Sequence, residues 1–280
     1  MDRPEPTSIP TASSMPLTAG VASRIVRVAS TGSTNADLVA GAAAYSSYTV
    51  LIADEQTAGR GRLDRLWIAP VGKTMTASIL VRPVAPRGGA LDPGMWGWFP
   101  LLAGLALHDV VSALVPGGDV GLKWPNDVQI DGRKLSGILA ELVVVDGRPD
   151  SVVIGVGLNL TLTEDDLPTP TATSLSLAGA PGAAAQLEDA VLSSFLVRVK
   201  EEVELLVGVS GDAEAAGLVE RVSAVCTTLG RRVRVELPDG TAPTGVARSI
   251  DGSGRLVVLG DGSSLPMSVA AGDVTHLRYE

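Results

Sequence analysis

Between residues 186 and 207 the apolar positions Leu187, Val191, Leu192, Phe195, Val199, Val203 and Leu206 recur every three or four residues with charges between them. That spacing predicts an amphipathic helix, with a second one over 212–224. The run 96–115 is apolar almost throughout. It is interrupted by His108 and Asp109 and contains Pro100, so it predicts a buried helix rather than a membrane span. β-Favouring residues predict strands over 26–29, 48–54 and 74–81. STNADLVAGAAA, residues 33–44, predicts a helix opening on Ser33 or Thr34 as its N-cap.

From about residue 121 the pattern changes to strand-like runs punctuated by Asp-Gly pairs. Asp131-Gly132 and Asp146-Gly147 suit primed hairpin turns and predict a meander over 121–160. After Cys226, short alternating strands separated by Asp239-Gly240, Asp251-Gly252 and Asp261-Gly262 predict a small all-β barrel. Segregated sheet and helices make the larger unit α+β. The expected organisation is a flexible leader over 1–22, a catalytic domain over 23–226 and a C-terminal domain over 227–280.

Composition narrows the chemistry. With 31 acidic against 22 basic residues and a formal net charge of -9, the chain lacks a general nucleic-acid surface, and any anion site must be local. The one cysteine, Cys226, excludes an internal disulfide and fits a reducing cytosol. The leader has neither a basic start nor an apolar core, so no signal peptide is expected and the protein is expected in the cytoplasm. Two histidines and one cysteine are too few for a His/Cys metal site; magnesium, which needs only carboxylates and substrate phosphates, is not excluded. His108 reads as structural.

Two nucleotide motifs fail on inspection. VGKT at 71–74 has the tail of a phosphate-binding loop but Trp67 where the loop needs glycine. GVGLNL at 155–160 puts Leu160 in place of the third glycine and reads as strand.

QTAGRGRLDRLW, residues 56–67, gathers Arg60, Arg62 and Arg65 among glycines that let backbone run close to a ligand, and so suits an anion. LKWPND at 122–127 sets a lysine, a tryptophan, a stiffening proline and an Asn-Asp pair at the mouth of a strand. GRKLSGILAE at 132–141 puts Lys134 beside a hairpin turn, with Gly137 three residues on. In IGVGLN, 154–159, Gly155 and Gly157 share one strand face and leave space there for a flat ligand. A strand lysine beside such a bare face invites an anionic partner, because an unpaired buried ammonium is costly.

These blocks, with STN at 33–35, resemble the biotin protein ligases, in which GRGRxxRxW, KWPND and KxxGxL occur in this order. The resemblance covers about residues 24–160 strongly and the C-terminal region by general pattern. It implies a mixed-sheet catalytic domain like the class II synthetases and an SH3-like C-terminal β-barrel. It also implies a two-step reaction: biotin and MgATP give biotinyl-5'-AMP and pyrophosphate, and a lysine of a biotin carboxyl carrier domain then takes the acyl group.

Under the resemblance Ser33, Thr34, Asn35 and Gln56 would bind biotin, and Gly59, Arg60, Gly61 and Arg62 would close over it. Lys134 and Arg62 would act on the carboxylate and the α-phosphate, and Gly137 and Gly155 would line the slot. Arg65, Trp67, Lys123, Asn126 and Asn159 would face ATP, and Asp127 would take the acceptor lysine's proton. Asp64 departs from the family's glycine; beside Arg65 it either pairs with that residue or faces solvent.

Many such ligases are also repressors. Here roughly 23 residues precede the first strand, too few for a three-helix DNA reader, so a ligase without repressor function is expected. Neither specific nucleic acid nor membrane is an expected partner, and a monomer or weak homodimer is. The competing readings are a lipoate or octanoyl ligase or transferase of the same superfamily, and a non-catalytic module that sequesters a small acid.

Overall fold

The computed structural model describes residues 14–62, 65–85, 91–237, 240–262, 265–270 and 273–276. Its larger unit is a seven-stranded mixed sheet in the order β1-β2-β3-β7-β6-β5-β4. Strands β1 (Arg24–Thr31) and β2 (Thr49–Gln56) run parallel, joined over one face by helix α2 (Thr34–Ala40). The remaining strands pair antiparallel: β3 (Thr74–Val81), β4 (Val120–Lys123), β5 (Asp127–Ile130), β6 (Arg133–Val145) and β7 (Arg148–Asn159). The two Asp-Gly hairpins form as the pattern predicts, with positive φ at both central residues: 52° and 73° at Asp131 and Gly132, 49° and 74° at Asp146 and Gly147.

The two faces of the sheet are buried differently. On one, Val152, Ile154, Val156 and Leu158 of β7 pack in the main core with Trp98, Phe99 and Phe195. That face carries helices α3 (Phe99–Leu114) and α4 (Ala184–Gly208). The segment Pro93–Leu114 is long and apolar enough to cross a membrane, but it is mostly buried inside the protein as its core helix. On the opposite face, Val153, Leu80, Leu51 and Val28 form a smaller cluster with Leu38 of α2. Further along that face β7 offers Gly155 and Gly157 ahead of Asn159 at its end, so the sheet is left open there for a site.

The helix predicted over 96–115 begins at Phe99, with a 3-10 turn over Pro93–Trp98 ahead of it. That predicted over 212–224 shortens to α5 (Leu218–Val225), because Asp212 caps its own turn through the amides of Glu214 and Ala215 and Gly217 takes a φ of 67°.

The expected leader needs correction. Residues 1–13 lie outside the described residues. From Ser14 on, however, the chain is placed: Met15 is 1% exposed, and a short helix, α1 (Pro16–Ala19), docks on α4. The Asp189 carboxylate of α4 accepts from the amides of Leu17 and Thr18 at 3.1 and 2.9 Å and from the Thr18 hydroxyl at 2.8 Å. It satisfies donors that a single helical turn leaves open.

After α5 the chain enters a separate five-stranded antiparallel sheet, in the order β11-β10-β9-β8-β12. Its strands are β8 (Arg232–Glu236), β9 (Thr244–Ile250), β10 (Leu256–Gly260), β11 (Pro266–Val269) and β12 (Asp273–His276). Its apolar residues join the main core. Two tryptophans tie the units together: Trp98 Nε1 donates to the Gly252 carbonyl at 2.8 Å and Trp124 Nε1 to that of Gly254 at 3.1 Å.

Candidate active site

Strand register builds the floor of the site. Asp127, Gly137, Gly157 and Thr76 lie directly opposite one another across β5, β6, β7 and β3, and so form one row on the open face. The next row holds Leu139, Gly155 and Ser78. Two strands thus present hydrogen where side chains would fill the groove, and a cavity of ≈ 450 Å³ opens over them.

At one end of the cavity α2 begins. Ser33 is its N-cap, accepting from the Ala36 amide at 3.4 Å. Gln56 Oε1 accepts from the Thr34 amide at 2.8 Å and from its hydroxyl at 3.1 Å. Ser78 Oγ lies 2.7 Å from Thr34 Oγ1 and 2.6 Å from Asn35 Oδ1. Asn35 Nδ2 donates to the Leu139 carbonyl at 3.0 Å and to Glu141 Oε2 at 2.8 Å. Ser33, Thr34, Asn35 and Gln56 all line the cavity as a polar, hydrogen-bonded end wall.

The Gly/Arg loop forms a side wall. A short pairing of Arg60 with Leu66 closes it, with the Gly61 amide donating to the Arg65 carbonyl at 2.6 Å. Arg60, Gly61, Arg62, Arg65 and Trp67 line the cavity, whereas Gly59 does not. Gly59 lies behind, its carbonyl accepting from the Trp67 amide at 2.9 Å; a Cβ there would sit 2.5 Å from the Trp67 carbonyl oxygen. Only glycine fits so close an approach. Arg60 Nη2 pairs with both oxygens of Glu141 at 3.0 and 2.8 Å. Arg65 reaches Glu236 of the C-terminal sheet at 3.7 Å. The question raised by Asp64 falls on Leu63 and Asp64, which lie outside the described residues.

The space expected beside Gly155 and Gly157 is not empty. The Asn35 amide packs against Gly155, and the Trp67 indole lies on Gly157, close enough that a Cβ there would overlap the ring at 2.5 Å from Cζ2. The same ring approaches Gly137, at 3.2 Å from an ideal Cβ. Trp67 Nε1 is buried without a hydrogen-bond partner among the described residues. An unmet buried donor costs about 1–3 kcal/mol, so a ligand that moves the indole or offers it an acceptor gains that back. Ligand binding is therefore expected to change tryptophan emission. Trp67→Phe should remove the response, since Trp98 and Trp124 are 0% and 2% exposed and Trp96 is stacked on Phe99. An undiminished response in the variant would contradict this.

Lys134 finds an anionic partner within the protein itself. Its ammonium is partnered, 2.8 Å from Asp127 Oδ1, and its side chain is 39% exposed, so it does not stand as an unpaired buried charge. Its backbone pairs with the segment after β7, donating to Thr171 at 2.7 Å and accepting from Thr173 at 2.9 Å. Asn159 fastens that segment through Nδ2 to the Thr173 carbonyl at 2.8 Å. Asn126 spends its amide on β6, donating to the Ile138 carbonyl at 2.7 Å. Lys123, Asn126 and Asn159 all line the cavity. The Trp124-Pro125 bond in this turn is cis, and the Trp124 amide donates to Thr228 Oγ1 at 3.0 Å.

Around the cavity stand Arg60, Arg62, Arg65, Lys123 and Lys134, five cations, with Asp127 the one carboxylate among the described lining residues. In a chain of net charge -9 this is a strong local inversion of sign. No described cluster of three or more His, Cys, Asp or Glu could hold a metal ion. Lys73 of VGKT is engaged elsewhere: with Thr163 it holds the Asp166 carboxyl well below the usual carboxylate range. His108 lies on α3 beside Asp109 at 2.9 Å.

Sequence reasoning missed Thr76, Ser78 and Glu141, and also the segment carrying Pro168, Thr169, Thr171 and Ala172, which forms another wall. For Glu141 a signal existed, because period-two spacing puts it on the face of Gly137 and Leu139.

Fold and site together define an α+β domain whose glycine-floored cavity is rimmed by cations and suits anionic ligands. Residues 26–159 match the model of the biotin/lipoate A/B protein ligase family, and residues 228–277 that of the biotin protein ligase C terminal domain. The biotin--[acetyl-CoA-carboxylase] ligase of Mycobacterium tuberculosis is 41% identical over 255 residues, 90% of this chain and 88% of that one. The bifunctional ligase/repressor BirA of Escherichia coli is 30% identical over 235 residues, 84% of this chain and 68% of that one. Among solved structures, biotin protein ligase from Aquifex aeolicus in complex with biotin and ATP shares the fold, with a TM-score of 0.70 at 24% identity over 92% of this chain and 100% of that one. The chain belongs to the biotin protein ligase family and is an enzyme of it.

Proposed function

We propose that the protein joins biotin to a lysine of the biotin carboxyl carrier domain of a carboxylase, in the cytoplasm, through biotinyl-5'-AMP, and has no repressor role. The observation that carries this reading is the five-to-one excess of cations over carboxylates among the described residues around a glycine-floored cavity. Two anions must meet there, and fixed cations in a water-poor site offset their repulsion.

The polar end wall of Ser33, Thr34, Asn35 and Gln56 suits the hydrogen-bonding head of biotin, with Gly137 and Gly155 letting Trp67 and Asn35 close directly on the floor of the slot. The carboxylate would then reach the α-phosphorus beside Lys134 and Arg62. A carboxylate oxygen forms the bond to phosphorus as pyrophosphate leaves. Arg65, Trp67, Lys123, Asn126 and Asn159 lie on the nucleotide side, and magnesium would arrive on the ATP phosphates.

In the second step the acceptor ammonium gives a proton to Asp127, its amine attacks the acyl carbon, and AMP leaves. We read the five-stranded C-terminal unit as the SH3-like part of this enzyme. It braces the KWPND turn through Thr228 and Gly254.

The test is incubation with MgATP and either biotin or lipoate, followed by mass spectrometry of the small-molecule products. Biotinyl-adenylate is expected with biotin alone; product only with lipoate would favour the other branch of the superfamily.

A further inference from the structure

Glu141 has no place in the two-step chemistry above, yet it joins the two walls of the site. Oε2 accepts from Asn35 Nδ2 at 2.8 Å and pairs with Arg60 Nη2 at 2.8 Å. We infer that Glu141 is a positioning residue that orients Asn35 in the acyl slot and anchors Arg60, so that the Gly/Arg loop is tied to β6; this rests on the ligase reading for its substrate.

The geometry supports each half. Asn35 is 3% exposed, and both protons of its amide are used, one on the Leu139 carbonyl and one on Glu141. Its oxygen is therefore held toward Ser78 and over Gly155, the inner end of the slot. Arg60 takes both carboxylate oxygens with Nη2. Nε and Nη1 of the planar fork are left for another acceptor, and an arginine held on one edge presents the rest of its fork in a fixed direction.

The pair is partly exposed, at 44% and 28%, so it makes a weak tether that an incoming anion can re-aim. Glu141 also borders a second cavity of ≈ 350 Å³ with Arg60, Arg62 and Arg65 of the same loop. It stands where the loop meets the sheet.

Two substitutions separate the halves. Glu141→Gln keeps an oxygen for Asn35 but removes the charge that holds Arg60; Glu141→Ala removes both. By hydrogen exchange, the loop amides of Gly61 and Trp67 should exchange up to about fivefold faster in Glu141→Gln, the scale of a partly exposed ion pair. Release of bound biotinyl-adenylate should quicken by the same factor, with biotin affinity within about twofold of wild type. Glu141→Ala should also weaken biotin about tenfold, because an Asn35 donor is left unmet. Adding Arg60→Gln to Glu141→Gln should speed release no further than Arg60→Gln alone.

Wild-type exchange in Glu141→Gln, or fully additive effects in the double variant, would overturn the inference. Exchange needs no ligand, so it reads Glu141 whether or not the wild-type protein retains an adenylate. Absence of adenylate from the wild type would count against the ligase chemistry alone.

Discussion

Lys134→Ala is expected to lower biotin-dependent ATP–pyrophosphate exchange by about 10²–10³-fold, with little change in thermal stability. The size follows from where the ammonium stands. It sits on the strand that floors the cavity, 2.8 Å from Asp127, and its Nζ would be 3.4 Å from a Cβ on Gly137. A unit charge about 4 Å from a reacting anion contributes about 4 kcal/mol at an effective dielectric near 20, and a carboxylate approaching a phosphate presents two such anions. Removing Lys134 takes away that attraction and also leaves Asp127 without its partner, so a net repulsion is added where the attack occurs. Because the side chain is 39% exposed, little packing is lost. Near-normal exchange in the variant would remove Lys134 from the chemistry.

Asp127→Asn is expected to separate the two steps. The amide oxygen can still accept from Lys134, so the row Asp127–Gly137–Gly157–Thr76 keeps its shape. Loss of the negative charge also leaves the Lys134 ammonium more available to the two anionic reactants, and exchange should fall by less than about tenfold. Transfer to the carrier lysine should fall by about 10²–10⁴-fold, because the ammonium has lost its proton acceptor. The comparison needs single-turnover transfer from preformed adenylate beside exchange measured on the same preparation. Equal losses in both would mean that Asp127 acts only through Lys134.

Much of this site is legible along the chain because its parts break local rules. Guanidiniums among glycines, a lysine on a strand and two glycines at i and i+2 are each poor choices for a core, and each lies at the cavity. Both Asp-Gly hairpins follow from local backbone preference and came out with the expected positive φ. What stays hidden depends on contacts distant in sequence. Glu141 looks like any acidic residue near a strand end until β6 is set beside α2 and the Gly/Arg loop. Trp67 is read as a flank for the nucleotide; only the folded loop lays its ring on Gly157. Asn126 lines the cavity, but the bond from its Nδ2 to the Ile138 carbonyl is visible only once β6 is in place. The first turn, α1, is concealed by prolines and hydroxyls and forms because Asp189, far along the chain, caps it.

We propose that this cavity joins two anions into an acyl-adenylate. Mass spectrometry after mixing the protein with biotin and MgATP should find one equivalent of bound biotinyl-5'-AMP, with release of pyrophosphate. Biotin bound and recovered unchanged, with ATP intact, would contradict it and leave the cavity as a binding site for a small acid.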